Sequence, residues 1–163
     1  MLLSAMPAAT LTLDHFLPYR LSFTANLVSD AVASAYQALF GLRIPEWRVI
    51  AVTAESADGI TQQAIGIRTR MDKVTVSRAA KSLIARDLIA RRPNAADQRS
   101  HLLVLTSEGR ALYEAVVPKA LELEQQIFSR FAKTELEQFE AMLRQIDGIV
   151  LTSGLSNGAS LSD

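Results

Sequence analysis

The sequence predicts a mainly α fold with a small β-hairpin wing: a winged helix-turn-helix flanked by N- and C-terminal dimerisation helices. Three observations predict it. Thr61 to Arg86 reads as a short helix, a turn and a second helix, punctuated by polar capping residues. Leu88 to Leu105 reads as two short strands around a polar loop. Long segments with apolar residues at the helical period lie on either side. A chain of 163 residues holds one domain, or one small domain with extra helices for assembly.

Composition narrows the chemistry. The chain has no cysteine, which removes disulfides, thiolate metal sites and thiol redox sensing. Its two histidines, His15 and His101, lie far apart without a cluster of carboxylates, so neither a metal centre nor a cofactor is expected. An enzyme is not expected either. Catalysis wants a base beside a nucleophile or paired acids, and Ser77 and Ser107 read as groove-facing and capping hydroxyls. Residues 1–12 are apolar but lack a basic segment and fall short of a membrane span, so a cytoplasmic protein without a membrane partner is expected. Formal charge is zero, yet Arg68 to Arg110 holds ten Lys or Arg against four Asp or Glu. That centre of +6 in a remainder of −6 attracts phosphates locally while the whole stays neutral.

In chain order, Asp14 to Leu39 reads as one long helix, and Pro18 fits best in a first turn, which puts the start of the regular helix near Leu17. Leu17, Leu21, Val28, Val32, Ala35 and Leu39 follow the helical period, and Phe16, Phe23 and Leu27 widen the stripe. A helix apolar on more than one face expects neighbours on more than one side. Gly41 stops it and Pro45 opens the next, which places Trp47, Ile50, Ala51 and Ala54 on one side. Trp47 reads as a core anchor or a ligand contact. Asp58-Gly59 is a turn, and Thr61 caps Gln62 to Arg68, where Gly66 weakens the helix unless close backbone packing requires it.

Asp72 is suited to cap the helix from Lys73 to about Arg86. Val76, Ala80, Leu83 and Ile84 point inward, while Thr75, Ser77, Arg78 and Lys81 take the other side. That polar face is either an ordinary solvated surface or a tip that suits a DNA major groove. The hairpin favours the groove: Arg91, Arg92 and Arg99 flank its loop, and a wing of this kind can insert an arginine into a narrow minor groove. Asp97 is placed to brace either the Arg99 side chain or the loop backbone. Thr106 caps a helix running through Leu112, Val116, Ala120, Leu123, Ile127 and Phe131, which Pro118 should bend or break. A turn then leads to Thr134, read as the cap of a last helix, with Glu137 completing a capping box. The spans are 13–40 for the first dimerisation helix, 41–110 for the DNA-binding domain, 111–151 for the last dimerisation helices and 152–163 for a flexible tail. Two subunits packed through these apolar helices would present two reading heads to a pseudo-palindromic site.

The stretches Ile60 to Gln63, Met71 to Arg78, Leu83 to Arg91, Asp97 to Ser100 and Leu105 to Gly109, with Gly41 to Arg48 ahead of them, resemble the MarR family of transcription regulators. The resemblance covers most of Asp14 to Val150. It implies that Thr75, Ser77 and Arg78 read or clamp the major groove, that Arg99 enters the minor groove, and that Asp97 supports the wing. Lys73, Lys81, Arg91 and Arg92 would add phosphate contacts. It also implies a homodimer on double-stranded DNA, usually a repressor, released by a small aromatic or phenolic acid. His15, Tyr19, Arg20, Trp47 and Arg48 are the residues that could line the effector cleft, although each also reads as an ordinary structural residue. Where many members have glycine before the wing, this chain has Asp87, so a costlier residue must make the turn. The alternative is a winged-helix module that binds another protein and not DNA.

Overall fold

The computed structural model describes residues 10–154, in two compact units that divide between Ala120 and Leu121. Residues 1–9 and 155–163, which include most of the apolar first stretch and of the expected tail, lie outside the described residues.

The first unit opens on a single 3-10 turn, Leu13–His15, and helix α1, Leu17–Phe40. The regular helix begins at Leu17, where Pro18 in a first turn places its start, and the stretch from Asp14 ahead of it is a separate 3-10 turn with Phe16 extended between them. Pro18 is the reason: its ring would clash with the carbonyl four residues back, so the regular helix starts beside it. Gly41, left-handed at φ 60°, ends α1 and donates to the Gln37 carbonyl. Helix α2 spans Ile44–Ala54, α3 Gln62–Thr69 and α4 Lys73–Ala85. Strands β1, Ile89–Pro93, and β2, His101–Leu105, pair antiparallel with Ile89 opposite Leu105. The core is drawn from α2, α3, α4 and both strands: Val49 and Ile50, Ile65, Val76 and Leu83, Ile89 and Leu103 are all buried.

Two details of the wing go beyond the expected hairpin. Ile60 forms a one-residue bridge to Leu103, each N–H donating to the other's carbonyl, which adds a third strand one residue long. Asp87 adopts φ 56° and makes the turn usually given to glycine. Its N–H donates to the Ile84 carbonyl at 3.0 Å, and Leu88 N–H reaches the Leu83 carbonyl at 2.9 Å, so α4 ends in a Schellman motif closed by an aspartate.

Helix α5, Ser107–Phe128, runs through Pro118 without a break and crosses from the first unit into the second. It ends before Phe131, which packs on Phe128 with ring centroids 6.4 Å apart. Helix α6, Lys133–Thr152, starts earlier than expected. Its cap is Ala132, whose N–H donates to Glu135 at 2.7 Å, and not Thr134 with Glu137. Glu137 instead forms an i,i+4 pair with Lys133 at 3.6 Å. Among the described residues of α6 none is buried, and α1 buries Tyr36 alone.

Candidate nucleic-acid interface

The two helices of the helix-turn-helix are held by local polar contacts. Thr61 Oγ1 accepts from Ala64 N–H at 3.2 Å and starts α3. Arg70, at φ 54°, makes the turn. Gly66 sits so close to it that a Cβ there would lie 3.2 Å from the Met71 carbonyl oxygen, which is why α3 carries glycine mid-helix. Asp72 then caps α4, accepting from Thr75 N–H at 2.9 Å and from the Thr75 hydroxyl at 2.7 Å.

Those two donors, the hydroxyl first, hold the Asp72 carboxyl below the usual aspartate range. The cap is therefore in force above the unfolded aspartate pKa, about 3.9, and is lost as pH falls through the depressed folded value. Asp72→Asn should abolish this acid-limb contribution, which a comparison of melting temperatures between pH 3 and pH 6, wild type against variant, would read. Parallel acid limbs for the two proteins would refute it.

Along α4, Lys73, Arg78 and Lys81 are exposed, while Thr75 and Ser77 are half-buried. Thr75, expected to read the groove, is committed through its hydroxyl to the cap. In the wing, Asp97 Oδ1 accepts from Arg99 N–H at 3.0 Å, so of the two expected braces it is the loop backbone that aspartate holds. Asn94 Nδ2 donates to Ser100 Oγ at 2.8 Å and Ser100 N–H to the Asp97 carbonyl at 3.0 Å, closing the loop and leaving Arg99 exposed at its tip. Arg91 is exposed as well. Arg92 is exposed too, but its guanidinium is tied down, donating to the Asp58 carbonyl ahead of the Ile60 bridge.

The wing's root is tied to α5 by one side chain. Thr106 Oγ1 accepts from Gly109 N–H at 2.9 Å and donates to the Asp87 carbonyl at 2.6 Å.

Two residues that hold α4 in place were not singled out from the sequence. Glu46 is 4% exposed and accepts from Ser82 Oγ at 2.6 Å and Arg43 N–H at 2.8 Å. Arg86, 3.9 Å from Glu46, also donates to the Gly41 carbonyl at 3.1 Å and the Phe40 carbonyl at 3.4 Å. Glu46 thus joins α2 to α4, and Arg86 joins α4 to the end of α1. Only half of this was legible: an acid three residues after a cap position is a capping signal.

The residues expected around an effector fall into two groups. Tyr19 lies 5.9 Å from Phe23, and Arg20 lies 5.2 Å over the same ring. Trp47 stacks on Tyr113 at 5.8 Å and meets Tyr36 edge-on at 5.6 Å, with Arg110 over Tyr113 at 5.8 Å. Tyr19 and Tyr36 are 17 residues apart on one continuous helix, about 25 Å at 1.5 Å per residue, so one protomer cannot bring the groups together. His15 and Arg48 are exposed. Burial pushes the Tyr36 hydroxyl pKa up, so it stays protonated and neutral. Among the described residues no group of three His, Cys, Asp or Glu could hold a metal ion, and no helix is long and apolar enough to cross a membrane.

This geometry has counterparts among known proteins. A family model described as the MarR family matches residues 40–100, which contain α2, the helix-turn-helix and most of the wing. An uncharacterized HTH-type transcriptional regulator, YwoH, of Bacillus subtilis (strain 168) is 26% identical over 131 residues, 80% of this chain and 93% of that protein. The crystal structure of a MarR/EmrR family transcriptional regulator from Acinetobacter sp. ADP1 superposes with a TM-score of 0.80 at 29% identity, covering 87% of this chain and 99% of that one. That of a mutant MarR from E. coli complexed with operator DNA has the same fold, with a TM-score of 0.73 at 21% identity over 85% of this chain and 99% of that one. Residues 40–100 thus match the MarR family model, and the chain shares the winged helix-turn-helix fold of these regulators.

Proposed function

We propose that two copies of this chain bind a pseudo-palindromic site in double-stranded DNA and repress transcription there, and that a small aromatic or phenolic acid releases them. The observation that carries the DNA reading is the group of exposed cations on α4 and the wing that form no ion pair. Arg68, Arg86, Lys133 and Arg144 each pair with a carboxylate, whereas Lys73, Arg78, Lys81, Arg91 and Arg99 form no ion pair among the described residues. Positive charge left uncompensated on one helix and one wing suits phosphates. The E. coli protein of the same fold, seen with operator DNA, supports the same use.

The dimer is supported by apolar surface that one chain leaves exposed. Leu17 is 73% exposed and Leu27 57% on α1, and Phe139, Met142, Ile146 and Ile149 are exposed along α6. Apolar faces of this length on a soluble regulator ask for a partner helix.

Arg99→Ala is expected to weaken binding to the preferred duplex about tenfold to a hundredfold, without changing the melting temperature, since the side chain is exposed and only its backbone is bonded. Band shifts on duplexes recovered from a random-sequence pool would measure it. Undiminished binding removes the wing from recognition. Wild-type binding that is weak on every duplex and insensitive to salt would favour the protein-interaction alternative.

For the effector, the half-buried stack of Trp47 on Tyr113, with Tyr36 at its edge and Arg110 beside it, supplies flat apolar surface and a cation. Arg48 follows Trp47, and His15, Tyr19 and Arg20 would have to come from the partner subunit's first helix. A panel of aromatic acids should contain at least one that quenches Trp47 fluorescence and releases the duplex over the same concentration range. If no acid does either, the effector reading is withdrawn.

A further inference from the structure

We propose that Arg43 and Arg78 grip one backbone phosphate of the duplex in the cleft between the start of α2 and the exposed side of α4. This rests on the DNA-binding reading above. The cleft has a volume of about 210 Å³ and is lined by Arg43, Pro45, Glu46, Thr75, Arg78 and Ala79. Both arginines are exposed, and neither pairs with a carboxylate among the described residues.

Arg43 has no local reason for its position. It is the N-cap of α2, a place where Ser, Thr, Asp or Asn accept from first-turn N–H groups. A guanidinium has nothing to accept with, and its charge sits at the positive end of the helix dipole, which is unfavourable. Glu46 does the capping in its place, reaching back to Arg43 N–H. An anion seated beside Arg43 reverses the sign of that cost.

The acid in the cleft does not oppose such an anion. Glu46 is buried, its Oε1 takes the Ser82 hydroxyl, its Oε2 takes Arg43 N–H, and Arg86 offsets its charge from 3.9 Å. The Thr75 hydroxyl is spent on Asp72. Two guanidinium forks remain as the free donors, and such forks match phosphate oxygens in pairs. Arg78 stands three residues beyond Thr75 on the same face of α4. A phosphate held there lies beside the helix that enters the groove, so the contact fixes how deeply that helix sits and carries no base preference itself. Arg78 is on this account a phosphate clamp and not a base reader.

The test uses the full chain on two duplexes of equal length, one recovered from a random-sequence pool by the wild type and one unrelated. Arg43→Ala should bind both about tenfold more weakly, and its plot of log affinity against log salt should be shallower by about 1.8, the loss of one phosphate from each half of a dimer. Arg43→Lys should keep most of that slope. Replacing single phosphates by neutral methylphosphonates should weaken the wild type at one position per half-site to which Arg43→Ala, left with Arg78 alone, is distinctly less sensitive. Arg78→Ala should lose affinity for both duplexes alike. An unchanged slope for Arg43→Ala, or the same methylphosphonate profile for both proteins, overturns the assignment while leaving DNA binding intact. A loss on Arg78→Ala confined to the recovered duplex overturns it too. A wild type that binds neither duplex with salt dependence removes the DNA-binding reading, and this with it.

Discussion

Gly109→Ala is expected to unfold the first unit or come close to it. A Cβ at this position would lie 1.8 Å from the Leu88 carbonyl oxygen and 2.8 Å from its carbon, and both are backbone atoms that cannot rotate aside. The Leu88 carbonyl is moreover held by Thr106 N–H at 3.2 Å, while Leu88 N–H closes the end of α4. To accept a methyl group, the start of α5 must lift away from the wing's root. That motion gives up the Thr106 contacts to Gly109 and to Asp87. Overpacking of this kind costs about 1–3 kcal/mol or more, and a lost cap adds about 1 kcal/mol. Together they are a large share of the roughly 5–15 kcal/mol that stabilises a domain. Circular dichroism melts should show a midpoint lower by at least about 10 °C, or no folded baseline. A variant melting with the wild type would mean that the contact between Gly109 and Leu88 is not as tight as described.

Glu46→Ala should cost about 3 kcal/mol, because two donors lose their acceptor and a third group its counter-charge at once. The Ser82 hydroxyl and Arg43 N–H are left without a partner in a half-buried place, and Arg86 without its counter-charge. Glu46→Gln keeps a carbonyl for one of the two donors and should cost distinctly less. Urea midpoints order the three proteins, and equal midpoints for the two variants would show that volume, not the bonded carboxylate, is what matters there. Because Glu46 and Arg86 fix α4 against α2 and the end of α1, Glu46→Ala should also weaken duplex binding at temperatures where it remains folded.

What could be read from the sequence was whatever acts over three or four residues. Thr61, Asp72 and Thr106 cap their helices as their spacing indicates, since a cap needs only a side chain and an N–H three residues on. Asp87 was recognisable by the glycine it replaces. At α6 the same rule offered two solutions. Glu135 closes on Ala132 in place of Glu137 on Thr134, and Glu137 pairs with Lys133 one turn back. Contacts between distant residues left no local trace: Ser82 with Glu46 and Arg86 with Gly41 join elements whose neighbourhood only the packed core establishes. The effector residues failed to form one group for a related reason. Sequence order places Tyr19 and Trp47 in adjoining helices, but the length of α1 holds them at its two ends.

If the chain binds DNA as proposed, the bridge of Ile60 to Leu103 bears on which sites it tolerates. It fastens the wing to the residue just ahead of the cap of α3, and Arg92 on Asp58 fastens it a second time. Groove widths differ from one sequence to the next, and a wing hinged freely could follow them while the helix stayed put. Here the two probes are yoked, so a site with an ill-matched minor groove would tilt the helix as well, and local DNA shape would be felt even at base pairs that no side chain touches.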